Sequence, residues 1–148
     1  MTRQVDLIEA VLPLVQAHMR PVELFDVGAG DGAIRRLALL VGRVDRLVRV
    51  ARADQMGRPP RPFDGFPAGD WLAGRANALA ISAQRPTPLI KGRHLVVLGY
   101  APGPAFGPLL EACFEAQLEG VFTDEEQGLR HLQQELRRDC WPLIRSEQ

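Results

Sequence analysis

The chain has 148 residues, 46% hydrophobic and 24% charged. That suits one domain, or two small helical subdomains, and excludes both wholesale disorder and a fibrous repeat. The 18 Lys and Arg residues balance 18 Asp and Glu residues, so the protein as a whole exerts no strong pull on nucleic acid or on an anionic membrane, and any such binding must come from local patches. Lys91 is the only lysine. The basic side is therefore almost all arginine, whose planar fork suits phosphate oxygens and base edges better than a flexible ammonium does.

From Thr2 to Met19, Val5, Ile8, Val11, Leu12 and Val15 fall at helical spacing, with Thr2 as an N-cap, Pro13 as a bend and Pro21 as a stop. The start carries Asp6 and Glu9 and no long apolar run, so no signal peptide is expected. A membrane span is not expected either, because no stretch approaches the roughly 18 apolar residues one needs. Ile34, Leu37, Ala38 and Val41 predict a helix over Asp31–Val41 that ends at Gly42, and Val44, Leu47, Val48 and Ala51 predict a third over Arg43–Met56.

Residues 57–67 concentrate proline and glycine and read as a linker that divides the chain into a helical body, 1–56, and a helical tail domain, 68–148. Trp71, Leu72, Ala76 and Leu79 predict a helix over Asp70–Ser82, with Trp71 a core aromatic, and a short helix follows over Gly92–Leu98. Pro104 is placed to open the next helix, whose buried stripe is Phe106, Leu110, Cys113, Phe114 and Leu118, ending at Gly120. Thr123 and Glu126 have capping-box spacing before a last helix with Leu129, Leu132, Leu136 and Cys140 on one face, and Trp141 pins its end. The expected fold class is all-α, a multi-helix bundle in two small subdomains.

Asp26–Gly32 reads DVGAGDG, the pattern of glycine-rich loops that bind nucleotides or S-adenosylmethionine. Such a loop needs a buried strand before it and further strands to form the ligand crevice. PVELF before it is short and begins with proline, LVRVARAD fits a helical period equally well, and only LVVLGY remains, so a glycine-rich connection into a helix is the favoured reading over a methyltransferase.

Pro88 to Gly120 reads PLIKGRHLVVLGYAPGPAFGPLLEACFEAQLEG. Its spaced Gly92, Leu95, Leu98, Gly99, Pro102, Gly103, Pro104, Gly107, Leu110, Leu118 and Gly120 resemble the C-terminal region of bacterial tRNA nucleotidyltransferases and related poly(A) polymerases. HMRP at 18–21, AIRRLALLVG at 33–42 and ARAD at 51–54 resemble the segment that joins this family's neck to its RNA-binding body, where an HD-type tail would include His18. The resemblance implies a helical module that grips tRNA or structured RNA in the cytoplasm, without a cofactor. The family's catalytic head would be supplied separately, by another nucleotidyltransferase subunit.

That head needs a glycine-serine loop and a carboxylate pair for two metal ions, and neither stands in the chain. His18, His94 and His131 are scattered without an adjacent His-Asp pair, and Cys113, Cys140, Ser82 and Ser146 belong to no nucleophile or zinc motif, so no catalytic or metal residue is expected. The expected RNA contacts are Arg35 and Arg36, Arg46 and Arg49 within the stripe Arg43, Arg46, Arg49, Arg52, and Lys91 and Arg93 flanking Gly92. Two other readings remain, an S-adenosylmethionine binder at Gly28–Gly32, and an association module that pairs with a partner chain or with itself.

Overall fold

A computed structural model describes residues 2–58, 64–138 and 141–145. The side chains of Thr2 and Val5, residues 59–63 of the expected linker, and Cys140 lie outside the described residues. The fold is all-α, with no strand among the described residues beyond an isolated bridge between Tyr100 and Arg145. It divides into two compact units, 1–86 and 87–148.

The first unit holds α1 (Thr2–Gln16), α2 (Arg20–Asp26), α3 (Asp31–Val41), α4 (Val44–Met56) and α5 (Pro67–Ala78). Its core is Leu14, Ala17, Ile34, Leu37, Ala38, Val41, Val44, Leu47, Val48, Leu72, Ala76 and Ile81. The apolar positions read for α3 and α4 are the buried ones, because a 3.6-residue period puts them on one face. Trp71 is partly buried on this core and meets Phe25 edge to face, ring centroids 5.7 Å apart.

Three expectations are corrected. Pro21 does not stop a helix but opens α2, where its missing N–H falls in a first turn that has no intrahelical acceptor to offer. On α1 the buried residue is Leu14, followed by Ala17 in the next turn, while Ile8, Val11, Leu12 and Val15 are exposed. The divide lies after Pro86 rather than at 57–67, because α5 packs on α2, α3 and α4 with Leu72 and Ala76 fully buried. Two ion pairs, Arg52 with Asp70 and Arg75 with Asp31, join α5 to α4 and α3.

Helix α5 also starts and ends earlier than expected. Pro67 occupies its first turn, and the chain leaves the helix through Ala80, a non-glycine residue at φ 55°, with the Ile81 N–H donating 3.0 Å to the Ala76 carbonyl. This is the geometry of a helix stop that glycine normally makes.

The second unit holds α6 (Gly92–Val97), α7 (Phe106–Glu119) and α8 (Glu125–Arg137) around Ile90, Leu95, Leu109, Cys113, Phe122 and Leu132. Gln117 on α7 clamps the segment before α6, since its Oε1 accepts from the Leu89 N–H and its Nε2 donates to the Thr87 carbonyl, each at 2.9 Å. Helix α7 begins two residues after Pro104, which lies in the preceding turn, and buries Leu109, where the expected stripe had Leu110 and Phe114. The N-cap of α8 is Asp124, whose Oδ1 accepts from the Gln127 N–H at 2.8 Å, so the cap falls one residue beyond Thr123. Trp141 and Leu143 pack partly buried on the same core.

Candidate nucleic-acid interface

The glycine-rich loop has a structural explanation. Gly28, at φ 60°, ends α2 in the left-handed conformation while the Ala29 N–H donates 2.9 Å to the Leu24 carbonyl, and Gly30 then caps α3. DVGAGDG is thus a stop and restart between two helices, without the strand that a nucleotide-binding loop requires in front of it.

On α4 the arginine stripe is largely neutralised by its neighbours. Arg43 makes a bidentate pair with Asp45 at 2.8 and 2.7 Å, and Arg49 reaches the same carboxylate at 3.2 Å. The hydrogen bond from Arg43 is the main cause that lowers the Asp45 carboxyl to about 2. Arg52 is held by Asp70 at 2.5 Å. Arg46 is exposed and forms no ion pair among the described residues, so it is the guanidinium of this stripe left for an outside phosphate. On α3, Arg35 is half-buried and engaged, and Arg36, also engaged, helps to line a shallow depression of about 250 Å3 with Arg20, Leu24, Leu37 and Leu40.

In the second unit, Arg93 lies 3.6 Å from Glu125, whereas Lys91 is exposed, has no ion pair among the described residues, and stands on the rim of a mostly apolar depression of about 390 Å3 with Ile90, Leu110 and Phe114. His94 is buried, and its Nδ1 accepts from the Lys91 N–H at 3.1 Å. The other ring nitrogen, Nε2, lies 3.1 Å from the Arg93 Nε and 3.5 Å from Glu125. His94 therefore serves to hold the start of α6.

The glycines and prolines of 88–120 stand at breaks between helices or at helix starts. Gly92 opens α6, where a Cβ would make ordinary contact with Phe106 and Leu110 at 3.7 and 3.9 Å. Gly99, at φ 86°, ends α6, Gly103 and Pro104 turn the chain, Gly107 lies in the first turn of α7, and Gly120 closes that helix.

A basic depression of about 450 Å3 that the sequence reading did not single out is lined by Leu98, Tyr100, Gln133, Leu136, Arg137 and Arg145. The signal for part of it was present, since Gln133, Leu136 and Arg137 share one face of α8. Arg145 reaches it only through the bridge to Tyr100.

Among the described residues no group of three or more His, Cys, Asp or Glu side chains is placed to hold a metal ion. Cys113 is buried, and burial, assisted by Glu135, pushes its thiol up to about 11, the opposite of what a nucleophile needs. No described helix is long and apolar enough to cross a membrane. No protein-family model, curated protein or solved structure matches the chain.

Proposed function

We propose that the chain is an RNA-binding helical module similar to the C-terminal part of tRNA nucleotidyltransferases. It takes tRNA or structured RNA as its ligand in the cytoplasm and relies on a separate nucleotidyltransferase subunit for catalysis. The observation that carries this reading is the stretch 88–120, whose family-like glycines and prolines serve the turns and starts of α6 and α7 and present Lys91 without a carboxylate partner among the described residues. Backbone phosphates are the ligand such a cation suits.

The test is fluorescence anisotropy of labelled tRNA at two salt concentrations, with the wild type and a variant carrying Lys91→Ala and Arg93→Ala. The reading expects affinity that falls steeply with salt, and a salt slope lower by about 1 for each phosphate contact removed. Absence of tRNA binding at low salt overturns it.

Protein association is the second reading, and one observation favours it. Leu7, Ile8, Val11, Leu12 and Val15 form an apolar surface on α1 with exposures from 42% to 62%. Sedimentation of the wild type and of a variant with Ile8→Lys and Leu12→Lys tests it. A wild type that stays monomeric at high concentration removes self-association.

A further inference from the structure

The depression between the end of α6 and α8 has no role in the function proposed above. Gln133 and Arg137 lie one helical turn apart on α8, and Leu98 and Leu136 give the hollow an apolar wall. Arg145 is delivered from the C-terminal segment by backbone pairing, the Ala101 N–H donating 2.8 Å to the Ile144 carbonyl beside the Tyr100–Arg145 bridge. Its guanidinium then stacks 5.4 Å from the centroid of the Tyr100 ring.

Stacking holds the Arg145 plane without using its N–H donors, which leaves them free for an anion. Neither Arg137 nor Arg145 pairs with a carboxylate among the described residues, whereas Arg93, Arg130 and Arg138 in the same unit each do. Two guanidinium groups that line one hollow without a carboxylate partner among the described residues raise its potential, and a phosphate group relieves that while matching the fork geometry of arginine. The apolar wall and the amide of Gln133 suit the sugar or base that accompanies a nucleotide phosphate. The volume accommodates a unit of that size.

We propose that this depression is a nucleotide phosphate site, in which Arg137 and Arg145 bind the phosphate oxygens and Tyr100 positions Arg145. The choice of an RNA strand as the source of that phosphate rests on the RNA-binding reading.

The test combines amide and arginine Nε–H spectra, titrated with inorganic phosphate and with AMP, and tRNA anisotropy on the full chain. The anisotropy compares the wild type, a double Arg137→Ala and Arg145→Ala variant, and a double Arg137→Lys and Arg145→Lys variant that keeps the charge should the alanines perturb folding. The site predicts shifts at Tyr100, Gln133, Arg137 and Arg145 and a severalfold loss of tRNA affinity in the alanine variant. It also predicts a salt slope lower by about 1 per lost phosphate contact and partial recovery with lysine.

Loss of tRNA affinity without AMP shifts assigns the phosphate to the strand backbone, and AMP shifts without such a loss assign it to a free nucleotide. If the wild type binds no tRNA at low salt but these four residues still respond to AMP or phosphate, the RNA-binding reading falls and the phosphate site stands. If tRNA binds wild type and alanine variant alike and AMP and phosphate leave the four residues unmoved, the site falls and the RNA-binding reading stands. Absence of both tRNA binding and shifts overturns the two together.

Discussion

Gly128, in the first turn of α8, lies directly against Ile90. A Cβ built at position 128 would stand 2.9 Å from the Ile90 Cδ1 and 3.0 Å from the Phe122 Cε2, and both of those side chains are buried. Alanine is the better helix former by about 1 kcal/mol, but overpacking a filled core costs about 1 to 3 kcal/mol. Gly128→Ala is therefore expected to destabilise the second unit by about 1 kcal/mol, read as a lower urea midpoint with unchanged slope. A higher midpoint would mean that Ile90 yields.

Ala80 offers the opposite case. It holds a left-handed conformation at the end of α5, φ 55°, and an L-residue pays about 1 to 2 kcal/mol to stay there. Ala80→Gly is expected to stabilise the first unit by about 1 kcal/mol, since relief of strain outweighs the added freedom of glycine in the unfolded chain. Chemical denaturation checks it, and an unchanged or lower midpoint would contradict the strain.

Leu109 and Phe114 both lie on α7, but Leu109 is fully enclosed while Phe114 is half-buried on the rim of a depression. Leu109→Ala leaves a cavity and is expected to cost about 2 to 5 kcal/mol. Phe114→Ala is expected to cost clearly less, although it removes the larger side chain. Equal costs in a pair of urea titrations would show that the rim is more tightly covered than its exposure indicates.

The pair between Arg43 and Asp45 sets a pH dependence. The folded-state pKa of Asp45 is lowered, to about 2, from its ordinary value near 3.8. Its contribution is therefore present above about pH 4 and lost as the pH falls through about 2. Asp45→Asn is expected to lower the thermal midpoint at pH 7, with the gap to the wild type narrowing below pH 4 and closing near pH 2. A gap that persists in acid would place the effect in packing rather than in the charge.

Cys113 is expected to resist a disulfide reagent in the native protein and to react once unfolded, because burial disfavours its thiolate. The measurement belongs in a Cys140→Ser background, so that a single thiol is read. Rapid native labelling would show that α7 opens locally.

The helices of this protein were legible from sequence wherever one short segment contains its own signal. The spacing of Ile34, Leu37, Ala38 and Val41, and of Val44, Leu47, Val48 and Ala51, determines α3 and α4, since a 3.6-residue period and a following glycine act within a few residues. Periodicity does not say which apolar residues find a partner, and only packing buries Leu14 while leaving Ile8 and Leu12 in solvent. The arginines of α4 were legible as a stripe, but the pair between Arg52 and Asp70 spans 18 positions and joins α4 to the next helix, which no local spacing encodes. The same holds for the hollow on the second unit. Gln133 and Arg137 are set by helical spacing alone, whereas Arg145 reaches them only because the backbone near the C-terminus pairs with Tyr100, a long-range contact that no local pattern encodes.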